Sequence, residues 1–359
     1  MQLTPEQENA ISNTLRDIKN KKKIVKIGGF AGTGKTTLIL ELRDKLPGEW
    51  AVCAYTGKAA NVLRKKGLSD SSTIHSLIYV PKKDSSGNIA LDQHGSPIFI
   101  LNPNLDCYGI LVDEASMVGK DIYQDLLSFN KPVIFIGDHG QLEPVGSGEV
   151  NVMQTPDYRL EKIHRNAGEI AKFAEFVRMG YRPEAFAARS TGTVRFINKQ
   201  QAAQELLNYD QIICGYNKVR VEVNLRIRAA HGQTDNWPVV GDRVMCLRNN
   251  SEKGLFNGMQ GTVDYLYPKQ KNRMIFTSDN KSYDIFFDPT QFNKPRYDFS
   301  GHRSDPNPFD FCYAITCHKA QGDEFDRVMV FEQRSGMWDF KRWAYTAASR
   351  AKILLTWVI

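Results

Sequence analysis

Gly29-Phe-Ala-Gly-Thr-Gly34-Lys35-Thr36 is the stretch that decides how this chain is read. Its spacing is GxxxxGK[ST]. An apolar run, Ile24–Ile27, leads into it, and a helical pattern, Thr36–Leu46, leads out and stops at Pro47-Gly48. Strand, glycine loop and helix in that order suit phosphate chemistry. Glycines let backbone N–H groups curl around a β-phosphate, and the helix N-terminus adds partial positive charge. Gly29, Gly32, Thr33, Gly34, Lys35, Thr36 and Thr37 are therefore the candidate nucleotide contacts. Lys35 can reach β- and γ-phosphates, and the Thr36 hydroxyl can ligate Mg²⁺.

Working outward, Leu111-Val-Asp113-Glu114 delivers two carboxylates at the end of an apolar strand, where ligands of open α/β sheets bind. Asp113 is the candidate Mg²⁺ ligand and Glu114 the candidate base for an attacking water. Trp50–Tyr55, Gly109–Val112 and Val133–Ile136 read as further short strands separated by helical segments, the pattern of parallel β-α-β units. At the start, Thr4 and Pro5 open a helix whose apolar positions are Ile11, Leu15 and Ile18. From about 81 to 103, turn residues flank the β-prone Ile98–Leu101, which suggests an inserted hairpin.

The second half repeats the α/β style in Val194–Ile197, Gln211–Cys214, Phe311–Thr316, Val328–Phe331 and Ile353–Val358. From about 247 to 308 it changes to glycines, turns and short strands, Gly261–Tyr267, Met274–Thr277 and Tyr283–Phe287, which suggests an all-β insertion. Only one GxxxxGK[ST] is present, so one nucleotide site is expected.

Composition sets outer bounds. The 42% hydrophobic and 24% charged content is ordinary for a soluble globular protein. A net charge of +7 permits a basic groove for a polyanion without demanding one. The six cysteines form no CxxC pair and no zinc-like array with histidine, so they read as reduced thiols of a cytosolic protein. No apolar run approaches the ~20 residues of a membrane span, and the N-terminus lacks a signal-peptide core. A cytoplasmic location without a membrane partner is expected.

Further motifs follow in order: Thr4-Pro-Glu-Gln7, Tyr55-Thr56-Gly-Lys58-Ala-Ala, Ser72-Thr73-Ile-His75, Gly137-Asp-His-Gly-Gln141-Leu-Glu-Pro144-Val, His164-Arg165, Gln211-Ile-Ile-Cys-Gly-Tyr-Asn217-Lys218, Thr316-Cys-His318-Lys-Ala-Gln321-Gly-Asp-Glu324-Phe and Tyr345-Thr-Ala-Ala-Ser-Arg350-Ala. With the phosphate loop and the Asp-Glu pair, they resemble the motifs of superfamily 1B DNA helicases of the RecD/Dda type over nearly the whole chain.

The resemblance implies an α/β fold of two RecA-like P-loop NTPase lobes, 1–152 and 153–359. The hairpin would interrupt the first and an SH3-like β insertion the second. It implies an ATP-dependent motor on single-stranded DNA, moving 5′→3′, with hydrolysis at the lobe interface driving stepping and strand separation. Gln7 would read adenine; Thr4-x-x-Gln7 is equally a capping box. Thr56, Lys58, Thr73, His75, Asn217, Thr316 and His318 would touch the DNA backbone. Gln141 would sense the γ-phosphate, Arg165 and Arg350 would stabilise charge on it, and Glu324 would meet the ribose or the adjoining switch. Phe99 in the hairpin would be a strand-separating pin or, alternatively, a side chain packed on an inert surface hairpin. Forks or duplex junctions, and single-strand-binding or other replication and recombination proteins, are the implied partners of a monomer. An RNA motor of the same superfamily remains an alternative, since phosphate contacts do not report the 2′-hydroxyl. So does a nucleotide-gated protein that grips or loads on single-stranded DNA without unwinding.

Overall fold

Capping chemistry fixes the first element. Thr4 Oγ1 accepts from Gln7 N and Gln7 Oε1 accepts from Thr4 N at 3.0 Å, so a complete capping box opens the helix Pro5–Lys19. The computed structural model describes residues 3–92, 97–143, 152–162, 168–250, 252–296 and 306–359. The chain divides into two compact units, Met1–Ala167 and Gly168–Ile359.

In the first unit six strands lie in the order Ser72–Thr73, Trp50–Ala54, Gly109–Asp113, Val133–Gly137, Ile24–Gly29, Tyr158–Leu160. All pairings are parallel. The strands Gly109–Asp113 and Val133–Gly137 are buried at every residue, as helix-covered parallel sheets require. The register sets Gly28 beside Gly137 and Ala54 beside both Asp113 and Thr73, which aligns the carboxyl ends.

The sheet extends past the expected lobe boundary at 152. Tyr158–Leu160 pairs with the phosphate-loop strand, Ile27 beside Tyr158, so it belongs to the first unit. Three residues are too short to display a period; pairing alone places this strand. The expected hairpin is present as antiparallel Tyr79–Pro81 and Phe99–Leu101, continued by bridges Lys83–Ile89 and Leu91–Pro97.

The second unit holds five parallel strands in the order Ala314–Thr316, Gln211–Cys214, Phe325–Phe331, Ala351–Val358, Val194–Ile197. Into it is inserted a closed barrel of Arg243–Cys246, Gln260–Leu266, Arg273–Ser278, Lys281–Asp288 and Asn307–Phe311, filled by Phe276, Phe287, Phe309 and Phe311. The expected insertion of 247–308 is wider at both ends because the barrel's first and last strands pair with each other, Val244 beside Phe311. The single strand expected over Phe311–Thr316 is divided. Phe311 ends the barrel, while Ala314–Thr316 joins the parallel sheet.

The helix Asn217–Ala230 pins barrel to sheet. Arg220 pairs with Asp310 at 2.6 Å and Arg228 with Asp242 at 3.2 Å, all four side chains buried. The Arg228 guanidinium lies 4.0 Å from the Phe311 ring centroid. Asn224 donates to Phe311 O at 2.9 Å and accepts from Ala314 N at 2.7 Å. Burial pushes the Asp310 carboxyl above its ordinary range, and Arg220 opposes that rise. All six cysteines are free and buried, and no helix among the described residues is long and apolar enough to cross a membrane.

Candidate nucleotide and nucleic-acid site

Neighbouring strands lie about 4.8 Å apart. The carboxyl ends at Asp113, Gly137 and Gly29 therefore form one row, with the strand of Gly137 between the other two. The phosphate loop closes one end. Gly34 adopts φ +82°, and a Cβ there would stand 2.3 Å from Gln7 Nε2, so only glycine fits this turn into the helix Lys35–Lys45. Lys35 Nζ donates to Gly29 O at 2.9 Å and Phe30 O at 3.1 Å, holding the loop curled. Gln7, besides completing its capping box, donates through Nε2 to Thr33 O at 3.1 Å and more weakly to Gly34 O. The first helix thus braces the loop directly.

Asp113 and Glu114 sit at the next strand end. Asp113 is 8% exposed, and its Oδ1 accepts from Glu114 N at 2.8 Å. Burial, then the charge of Glu114, push its carboxyl up to about 7 against the pull of Lys35. Glu114 takes a left-handed backbone, φ 52°, costing about 1–3 kcal/mol for a non-glycine residue. Its Oε2 is buried without a hydrogen-bond partner among the described residues. A left-handed backbone and an unpartnered buried carboxylate oxygen at this strand end suit a base that binds water.

Between them, Asp138 is fully buried and accepts from Gly140 N at 2.9 Å and Gln141 Nε2 at 3.0 Å. His139 packs on Phe30 of the phosphate loop, ring centroids 4.4 Å apart. Gln141 is thus tied to the loop's neighbour through Asp138, an organising residue that sequence reasoning passed over. The signal was present: an acidic residue directly after a buried strand, three before the glutamine.

At the far side of the same edge, Thr56 caps the helix Gly57–Lys65 and Thr73 caps Ile74–Ile78, each accepting from a backbone N–H at 3.1 Å. His75 stands between Tyr55 and Tyr79, and desolvation lowers it below its ordinary value. Lys58 lies in the first turn of the helix that Thr56 caps. Phe99 is 47% exposed, and its neighbours Ile98 and Ile100 are exposed to similar degrees.

In the second unit the candidates separate into two groups. Thr316 and His318 follow one strand and Asn217 the next, with Cys214 beside Thr316, so these three share the carboxyl edge. Asn217 Oδ1 accepts from Arg220 Nε at 3.1 Å, and burial lowers His318. Arg350 and Glu324 precede the strands Ala351–Val358 and Phe325–Phe331 and lie at the amino edge. Arg350 is 4% exposed; its guanidinium donates to Thr346 O, Asp323 O and Ser349 Oγ at 2.8–3.1 Å. Arg165 and His164 lie outside the described residues, as does Pro144.

The donors present fit a magnesium ion. The Thr36 hydroxyl and Asp113 carboxylate are hard oxygens, and Glu114 Oε2 adds an orphaned acceptor. No cluster of three His, Cys, Asp or Glu able to cage a metal occurs among the described residues.

Fold and loop together define a P-loop nucleotide-binding protein with two parallel-sheet units. Residues 2–199 match the model of the AAA domain family and residues 311–358 that of the UvrD-like helicase C-terminal domain. The chain is 28% identical over 270 residues to the ATP-dependent DNA helicase dda of Enterobacteria phage T4, covering 68% of this chain and 60% of that one. It is 24% identical over 360 residues to the ATP-dependent RecD2 DNA helicase of Deinococcus radiodurans, covering 92% and 46%. The chain thus spans about half the length of these relatives. Bacteroides Pif1 bound to single-stranded DNA has the same fold, with TM-score 0.66 at 21% identity over 99% of this chain and 92% of that one. The chain belongs to the AAA-domain P-loop family.

Proposed function

We propose that the protein is an ATP-dependent DNA helicase that moves 5′→3′ on single-stranded DNA and separates strands ahead of it. The observation that carries this reading is the carboxyl edge of the first sheet. The phosphate loop, the Asp113-Glu114 pair and the Gln141 loop occupy three adjacent strand ends, and the Thr56 and Thr73 helix caps continue the same edge. A hydrolytic site and two phosphate-binding helix N-termini on one sheet are the parts a nucleic-acid-driven ATPase needs to be coupled. The likeness to the dda and RecD2 DNA helicases supports DNA as the track.

In this reading Lys35 and the loop amides hold the β- and γ-phosphates, Thr36 and Asp113 hold Mg²⁺, and Glu114 takes the proton of the attacking water. The metal supplies charge neutralisation on the phosphates. Gln7 contacts adenine, and Thr33 and Thr37 line the nucleotide. Gln141 reports the γ-phosphate; Arg165 and Arg350 counter its charge, for which Arg350 must leave its three carbonyl and hydroxyl acceptors. Thr56, Lys58, Thr73, His75, Asn217, Thr316 and His318 grip the phosphodiester backbone. Phe99, exposed at the hairpin, stacks on the junction base pair. We place the lobe boundary at 167/168 rather than 152, and the protein in the cytoplasm as a monomer, acting with single-strand-binding or other replication and recombination proteins at forks.

The test is ATP hydrolysis by the purified chain with and without single-stranded DNA or RNA, alongside Lys35→Ala. Large stimulation by DNA over RNA, abolished in the variant, is the expected result. Equal rates with and without nucleic acid would refute the coupling. Preferential stimulation by RNA would refute the choice of DNA.

A further inference from the structure

The barrel's interior is filled by Val263, Met274, Phe276, Ile285 and Phe287, so the rings on its outside are not needed to hold it together. Yet its long strands carry aromatic residues outward. Tyr265 is 48% and Phe286 46% exposed. They lie on the two strands that flank Arg273–Ser278: Tyr265 stands beside Ile275, Arg273 beside Phe286, and Tyr267 N donates to Arg273 O at 3.1 Å. The Arg273 guanidinium bridges the rings, 4.4 Å from the Tyr267 centroid and 5.4 Å from that of Phe286. Its Nη2 pairs with Asp284 at 2.6 Å, so that carboxylate is already neutralised.

The turn between these strands, Leu266-Tyr-Pro-Lys-Gln-Lys-Asn-Arg273, contains Lys269, Lys271 and Arg273 and no carboxylate. A cavity of about 350 Å³ opens there, lined by Tyr267, Pro268, Lys269, Gln270 and Arg273. Exposed π-faces beside a cationic turn match a single strand, whose bases stack on any aromatic ring and whose phosphates seek cations.

We propose that this outward face of the barrel is a second contact for single-stranded DNA, with bases stacking on Tyr265 and Phe286 and phosphates meeting Lys269 and Lys271. The proposal rests on the reading of the chain as a motor on single-stranded DNA, and it extends the track beyond the helicase motifs. A neutral apolar protein surface would not use the lysines.

The test measures binding of labelled oligothymidylates of about 8 and about 20 nucleotides, lengths that bracket the site of one barrel module, by fluorescence anisotropy. The proteins compared are the full chain, Tyr265→Ala/Phe286→Ala and Lys269→Glu/Lys271→Glu. Both double variants should bind the longer strand roughly tenfold more weakly. They should bind the shorter strand as the wild type does, with unchanged hydrolysis on it, which also reports an intact fold. Unchanged affinity for the longer strand, where the wild type binds both, overturns the barrel contact alone and leaves the face to a protein partner. A wild type that binds neither overturns the motor reading and this proposal together.

Discussion

Asp113→Asn should stabilise the first unit when metal is removed, by an amount that grows between about pH 4 and pH 7. Burial and Glu114 lift the Asp113 carboxyl from 3.8 to about 7. An acid raised on folding favours the folded state while protonated. That contribution is complete below about pH 4, is lost progressively as pH rises from there, and is gone above about 7. At pH 8 the wild type therefore carries an ionised, desolvated carboxylate. A span of roughly 3 on the pH scale sets a ceiling of about 4 kcal/mol on its cost. Because Glu114 shares the repulsion and the site relaxes, about 2 kcal/mol is the expected gain, or roughly 4–8 °C in melting temperature. Asparagine keeps an acceptor for Glu114 N, now at 2.8 Å from Asp113 Oδ1, so the turn is preserved. Thermal unfolding in EDTA at pH 5 and pH 8 reads this. The variant's advantage at pH 5 should be only about a third of its advantage at pH 8, because the loss runs between the two pKa values. A variant no more stable than the wild type at pH 8 would refute the claim that burial strains this carboxylate. Hydrolysis should be lost at both pH values.

Glu114→Gln should retain nucleotide binding and lose hydrolysis by 10²-fold or more, the usual worth of a general base; equilibrium nucleotide binding and steady-state turnover separate the two effects. Phe99→Ala should leave DNA-stimulated hydrolysis intact while lowering the rate of duplex unwinding, and equal unwinding would show the hairpin to be inert. Gly261→Ala should destabilise the barrel by about 1–3 kcal/mol, since a Cβ there would stand 2.1 Å from Thr277 O; a chemical-denaturation midpoint equal to that of the wild type would contradict this.

What the sequence disclosed and withheld follows from distance along the chain. The phosphate loop, Asp113-Glu114 and the Thr4 cap are local patterns whose chemistry is written in consecutive residues. The threonines at 56 and 73 were legible as hydroxyl donors, and the structure adds that each already caps a helix. The withheld features are pairings. Tyr158–Leu160 belongs to the first sheet only because Ile24–Gly29 has a free edge for it. Arg220 and Asp310, ninety positions apart, reveal nothing until the barrel closes. Arg350 was legible as a cation before the last strand, but its bond to Asp323 O depends on a turn from elsewhere in the unit.

Val244 lying beside Phe311 means that the barrel leaves the second unit and returns to it at one point. To the rest of that unit, everything between is a loop of almost no span. The entropy of closing such a loop rises only by about 0.6 kcal/mol for each doubling of its length. The segment can therefore be enlarged, trimmed or exchanged for another module at little cost to the sheet that carries it. What such an exchange must keep are Asp242 and Asp310, one at each end, because losing either would leave Arg228 or Arg220 buried without its counter-charge.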